Sequence, residues 1–180
     1  ATSWLKDAAT SAIFHNATGR SLNALTMRDR EAINRFCAFK LLGPNAYRGD
    51  MDTFLAQGLS TLANRSEVER NEMRTLFEHA MALNYELFGE HAFRKSLAYG
   101  PGATRSVINI SLFAVCAVSM AELGQLNAMH KASLRERIIG LLNDPVFINS
   151  ITYSTNSTTQ VRRRFSMMEA VVSKSQEEGE

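Results

Sequence analysis

The sequence predicts an all-α protein, a single compact bundle of about seven or eight helices. Three observations carry this expectation. Apolar residues recur at spacings of three and four nearly throughout the 180 residues, sustained apolar-polar alternation is almost absent, and helix-starting and helix-stopping residues fall between the apolar stripes. At 45% apolar and 21% charged residues the chain sits in the globular range, which excludes global disorder, collagen-like repeats and a disulfide-dense secreted scaffold. A chain of this length makes one ordinary domain with a radius of gyration of roughly 16 Å. Ten Phe and eight Met supply bulky fill for its core.

The elements follow in order. Trp4, Leu5, Ala8, Ala12 and Ile13 predict a first helix, closed by residues 16–23 with Gly19 as a left-handed stop. Thr26 caps a second helix with Asp29 in its first turn, and Gly43 followed by Pro44 ends it. Asp50 caps a third, whose stripe Met51, Phe54, Leu55, Leu59 and Leu62 keeps helical spacing. Ser66 and Glu69 form a capping-box pattern, which opens a long helix that ends near Gly89. Residues 99–104, with Gly100, Pro101 and Gly102, form a loop.

Val107 to Leu123 is the most hydrophobic stretch and predicts the central helix. Asn109, Ser111, Ser119 and Glu122 mark it as a buried helix rather than a membrane span. Ser133 with Glu136 repeats the capping-box pattern ahead of Leu134, Ile138, Leu141 and Leu142. Asp144 and Pro145 stand as N-cap and first residue of a short helix over 146–152, whose β-branched content leaves a strand open. After a polar loop or cap at 154–159, Val161, Phe165, Met168 and Val172 give a last helix a narrow apolar seam. The reading places a helical domain over 3–173 and a frayed acidic tail over 174–180.

The chemistry is sparse. A net charge of +2 announces neither a nucleic-acid binder nor a membrane-surface protein, although three of the 18 acidic residues sit in the tail and leave a modest basic surplus over the rest. Cys37 and Cys116 lie inside apolar helical patterns, which favours buried reduced thiols and a cytoplasmic setting. The chain opens on Ala1 with no Met, which reads as a processed or excised piece of something longer. Gly100-Pro101-Gly102 lacks the Lys of a phosphate loop, no two of the four His are spaced as zinc ligands, and no Glu has His three residues later. Glu86, Glu90 and His91 could approach one another, but a solvated helix end is the simpler account. The expectation is therefore no catalytic residue, no metal and no cofactor.

Arg162, Arg163 and Arg164 are the one basic run. At about 100° per residue they fan around the helix, so Arg164 flanks the apolar seam as a structural partner of an acid or a backbone carbonyl, while Arg162 and Arg163 stay open to solvent as candidate nucleic-acid contacts. Glu31 and Arg35 are four apart in the favourable order for a helical ion pair. Asp29 reads as a first-turn partner of the helix dipole or as a contact to a further domain.

Three segments carry a family resemblance. The first runs from Ala17-Thr18-Gly19-Arg20 through Met27-Arg28-Asp29-Arg30-Glu31, Arg35-Phe36 and Phe39 to Tyr47, Gly49, Met51, Phe54 and Leu55. The second is Phe88 to Arg94, then Ile108-Asn109 with Leu112-Phe113. The third is Asp144, Phe147, Ser150 and Thr155, then Val161 with Arg164-Phe165. Together they resemble the C-terminal helical part of the GmrSD-type restriction endonuclease N-terminal domain, a large bacterial family. Members resemble ParB and sulfiredoxin in their N-terminal half, where an Asp-Gly-Gln-x-Arg type signature is associated with nucleotide hydrolysis, and many carry a His-Asn-His type nuclease domain downstream. Neither motif occurs in this sequence, so no family catalytic residue carries over.

The resemblance implies a non-catalytic helical module of a nucleotide-dependent DNA restriction protein in anti-phage defence. Such a module would pack on an α/β half of the same or a related chain, with DNA as a further partner and no membrane. The alternative is a protein-interaction module that oligomerises without touching nucleic acid. A DNA role needs basic residues gathered on one face, and a docking role needs an exposed apolar patch.

Overall fold

In the computed structural model, which describes residues 1–177, the first apolar stripe is two helices rather than one. Helix α1 (Thr2–Ala9) ends at Thr10, and Ser11 takes an extended conformation and accepts the Phe14 amide, so α2 (Ala12–Thr18) starts at a fresh N-cap. This break raises the eight expected helices to nine. Gly19 ends α2 in the left-handed conformation, as its position predicts.

Helix α3 (Arg28–Leu42) is not capped by Thr26. Its N-cap is Met27, itself left-handed at φ 57°, while the Thr26 hydroxyl donates back to the Asn23 carbonyl. With Met27 in the cap position, Thr26 stands one residue outside the helix and its hydroxyl is engaged in the turn before it. Gly43 and Pro44 end α3 as expected, and Asp50 caps α4 (Met51–Ala63) by accepting the Thr53 amide. The Ser66–Glu69 capping box is fully formed at the start of α5 (Glu67–Phe88).

The central helix is shorter than its hydrophobicity suggests. Asn109 accepts the Leu112 amide and starts α6 at Ile110, which runs only to Met120. Val107 is exposed, and Ile108 makes an isolated antiparallel bridge with Arg94. Ser133 and Glu136 do not start a helix either: α7 (Ala128–Leu142) begins five residues earlier, where Asn127 accepts the His130 amide. Asp144 caps α8 (Pro145–Ser150), so the 146–152 segment is helix rather than strand as far as Ser150, with residues 151–152 in a turn. Helix α9 (Thr158–Glu177) continues past Val172 with Ser175 buried. The rest of the acidic tail, 178–180, lies outside the described residues.

Residues 111–117 of α6 are buried all round, so α6 is the axis on which α3, α5 and α9 pack. Aromatic rings fill the spaces between these helices. Phe77 meets Phe14 and Phe36, Phe93 meets Phe113 at 4.6 Å, and Phe39 meets Phe54 and Phe165 at 4.8 Å each. Each buried ring contributes roughly 1.5–3 kcal/mol of burial, with about 0.5–1.5 kcal/mol more per well-placed ring pair. Helices α3 and α4 touch backbone to backbone at Gly58, where a Cβ would lie 2.6 Å from the Ala38 Cα. No described helix is long and apolar enough to cross a membrane.

Candidate functional site

The three segments of the resemblance meet inside the bundle. Arg35 from α3 donates through Nε and Nη2 to Glu31 Oε1 at 3.2 and 3.0 Å, leaving its buried Nη1 without a partner. Arg164 from α9 is 0% exposed, and its Nη1 donates to the Ser150 carbonyl at 3.0 Å and the Thr155 carbonyl at 2.7 Å. It meets no carboxylate. Burial first, and the nearby charge of Arg35 second, bring Arg164 down to about 10. The Tyr47 hydroxyl donates to the Asn156 carbonyl at 2.6 Å and ties the loop before α4 to the start of α9; burial pushes this phenol above its usual range. Arg164 thus staples the α8–α9 connection through backbone carbonyls, the second of the two partner types its phase on the helix predicts.

Arg162 and Arg163 are exposed and line an open groove with Thr158, Thr159, Ser166 and Met167. Arg163 Nη1 donates to Gln160 Oε1 at 3.3 Å. The neighbouring loop carries Arg48, also exposed, and Gly49, whose Cβ position lies 3.4 Å from the Thr158 hydroxyl. Exposed guanidinium groups therefore gather near the start of α9, where phosphate contacts would add to the favourable helix end. Asp29 is buried in the first turn of α3 and accepts its neighbour's amide, Arg30 N–H, at 2.7 Å.

The titratable cluster at the end of α5 assembles only in part, with Glu90 Oε1 3.9 Å from His91 Nε2. Glu86 pairs with Lys131 at 2.6 Å instead of facing His91. His91 Nδ1 does lie 2.9 Å from Ser96 Oγ, a spacing that suits a nucleophile and its base. Ser96 is buried, however, and its Oγ accepts the Ser106 amide while Ser106 Oγ accepts the Ser96 amide. That reciprocal pair is a loop clamp. Among the described residues no three His, Cys, Asp or Glu side chains are placed to hold a metal ion. Both thiols are free and buried, and burial pushes Cys116 up to about 12.

A surface not visible in the sequence lies between the α2–α3 loop and residues 105–110. Leu25 is 95% exposed, Val107 84% and Met27 59%. The two segments face each other across a pocket of about 140 Å³ lined by Leu22, Arg28, Glu31, Val107, Ile108 and Ile110, among others. The missed signal was Asn109, whose role as N-cap releases Val107 and Ile108 from the helix they were assigned to.

No protein-family model matches the chain, and neither a curated protein nor a solved structure matches it.

Proposed function

We propose that this chain is a non-catalytic helical module of a GmrSD-type, nucleotide-dependent DNA restriction protein, and that it docks on an α/β half of the same or a related chain. The observation that carries the reading is the surface of Leu25, Met27 and Val107. Val107 lines the pocket, and Leu25 and Met27 stand exposed on the α2–α3 loop, which supplies Leu22 to it. Large apolar side chains this exposed on the two segments bordering one pocket suit a covered surface. Two of the three lie in or beside the segments that carry the family resemblance. The hydrogen bonds from Tyr47 to the Asn156 carbonyl and from Arg94 to the Thr18 carbonyl, which tie those segments together, support the same reading, because motif residues joined in space explain why the motifs would occur together.

DNA enters as a second partner through Arg162 and Arg163, the exposed pair beside Thr158 and Thr159. Their contribution is phosphate neutralisation, which positions a duplex without reading its sequence.

The test is to mix the chain with an α/β half of a GmrSD-type protein and follow sedimentation. Formation of a complex that Leu25→Asp with Val107→Asp abolishes supports the reading. Self-association abolished by the same pair of changes, with no binding to the α/β half, favours the oligomerisation module instead.

A further inference from the structure

Arg94 is 2% exposed and has no carboxylate hydrogen-bonded to it. Its guanidinium donates to the Ser106 carbonyl, to the Thr18 carbonyl at 2.9 Å and to the Ser21 hydroxyl at 2.8 Å, and its buried Nε has no partner. These bonds tie residues 18–21, at the end of α2, to residue 106. Instead of an acid, the neighbouring charge is a second arginine. The Arg105 side chain folds back over Gly19, where a Cβ would stand 2.6 Å from its Nη1 and 3.7 Å from the Arg94 Nη2. Gly19 is left-handed at φ +60°, so a side chain is disfavoured there on conformational grounds, and its absence leaves room for the guanidinium. Burial and then Arg105 lower the proton affinity of Arg94; Glu90 opposes this as the smallest of the three influences.

Two like charges held side by side are costly unless something offsets them. The carbonyl end of α2 accounts for about half a charge. Glu31, the acid in the lining of the pocket, is already bound by Arg35 through Oε1. Meanwhile Ser21 spends a lone pair on Arg94, so its proton is free to donate, and the nearest acceptor is the Gly19 carbonyl at a long 3.4 Å. Ser21 and Arg28 line the same 140 Å³ pocket, and both are exposed, as is Arg105. Among the described residues Arg105 and Arg28 have no hydrogen-bonded or ion-paired partner.

We infer that Arg105 and Ser21, backed by the buried charge of Arg94 and with Arg28 across the pocket that Ser21 lines, form a binding site for a phosphate group. A tetrahedral dianion matches the two guanidinium charges of Arg94 and Arg105, where a carboxylate would match one. The group belongs either to a nucleic-acid backbone or to a free phosphate ester, and both present the same oxygens. The site borders the same pocket as the docking surface but is argued from different side chains, and its test uses the chain alone, so failure of the docking reading at Leu25 and Val107 leaves it standing.

The test uses the full chain. Inorganic phosphate is titrated calorimetrically, with sodium chloride at matched ionic strength as the control, while the Ser21 and Ser106 amides are followed by NMR. A second arm titrates a short DNA duplex into the phosphate-loaded protein. Phosphate should bind and shift both amides where chloride does not. Arg105→Ala should weaken it by at least about tenfold with an unchanged melting temperature, and Arg105→Lys by less, because a point charge replaces a fork. Ser21→Ala, an exposed change, should also weaken it. Displacement of phosphate by the duplex assigns the group to nucleic acid; retention assigns it to a free phosphate ester. Equal shifts with chloride, or an Arg105→Ala protein that binds phosphate unchanged, overturns the site.

Discussion

Arg35 of α3 and Arg164 of α9 are both buried cations, and the charge of Arg35 adds to burial in lowering the proton affinity of Arg164. They are not equivalent. Arg35 has Glu31 as counter-ion, whereas Arg164 has only the carbonyls of Ser150 and Thr155. Removing Arg164 takes the donor from the buried Ser150 carbonyl and from the half-buried Thr155 carbonyl, so Arg164→Met should cost about 2–4 kcal/mol. Arg35→Met should cost less. Each single change relieves the same repulsion, so the double variant should be less stable than the sum of the two by about 0.5 kcal/mol or more. Urea unfolding of the four proteins measures this; a coupling of opposite sign would mean that the arginines support each other.

Gly58→Ala should destabilise by about 1–3 kcal/mol, because its Cβ would stand 2.5 Å from the Ala38 Cβ at the α3–α4 crossing. Ala38→Gly should rescue it only in part, since the Ala38 Cα would still lie 2.6 Å away. Full rescue would show that the two helices can separate freely.

The capping box of α5 gives the acid limb a defined origin. The amide and hydroxyl of Ser66, then Arg65, hold the Glu69 carboxyl down at about 2, against an ordinary 4.5. A carboxyl lowered on folding contributes stability that is complete above about pH 4.5 and is lost as pH falls toward about 2. Glu69→Gln keeps a side chain able to close the box but does not titrate. Its melting temperature should fall less steeply than that of the wild type between pH 4.5 and 2, and parallel profiles would contradict the assignment.

The exposed pair on α9 predicts a salt effect. Each phosphate contact removed lowers the magnitude of the salt dependence of DNA affinity by about one, so Arg162→Ala with Arg163→Ala should flatten it by up to about two. The same pair should leave the melting temperature unchanged, in contrast to Arg164→Met. Wild-type affinity with no salt dependence would remove DNA from the account.

These predictions divide along what the chain makes legible. Local signals held where the bond is local: Asp50, Ser66 with Glu69, Asp144 with Pro145, and Gly19 act as their spacing suggests. The phase of α9 foresaw both the burial of Arg164 and the exposure of its two neighbours. Failures came where two local patterns competed. Thr26 bonds back into its own turn, and Asn127 pre-empts Ser133 by starting α7 earlier. Val107 was hidden by hydrophobicity, because a run of apolar residues does not reveal that Asn109 interrupts it as a cap. The Arg94–Arg105 pair was beyond reach for another reason. It depends on Thr18 and Ser21 arriving from far along the chain, and nothing in the spacing of residues 94 and 105 announces that.

If an α/β half covers the surface of Leu25, Met27 and Val107, hydrogen exchange on the chain, alone and mixed with an α/β half of a GmrSD-type protein, reads the cover out residue by residue. New protection should be confined to residues 20–31 and 105–110, with the backbone of 158–167 unchanged until DNA is added. Protection elsewhere, or an exchange pattern indifferent to the added half, would contradict it.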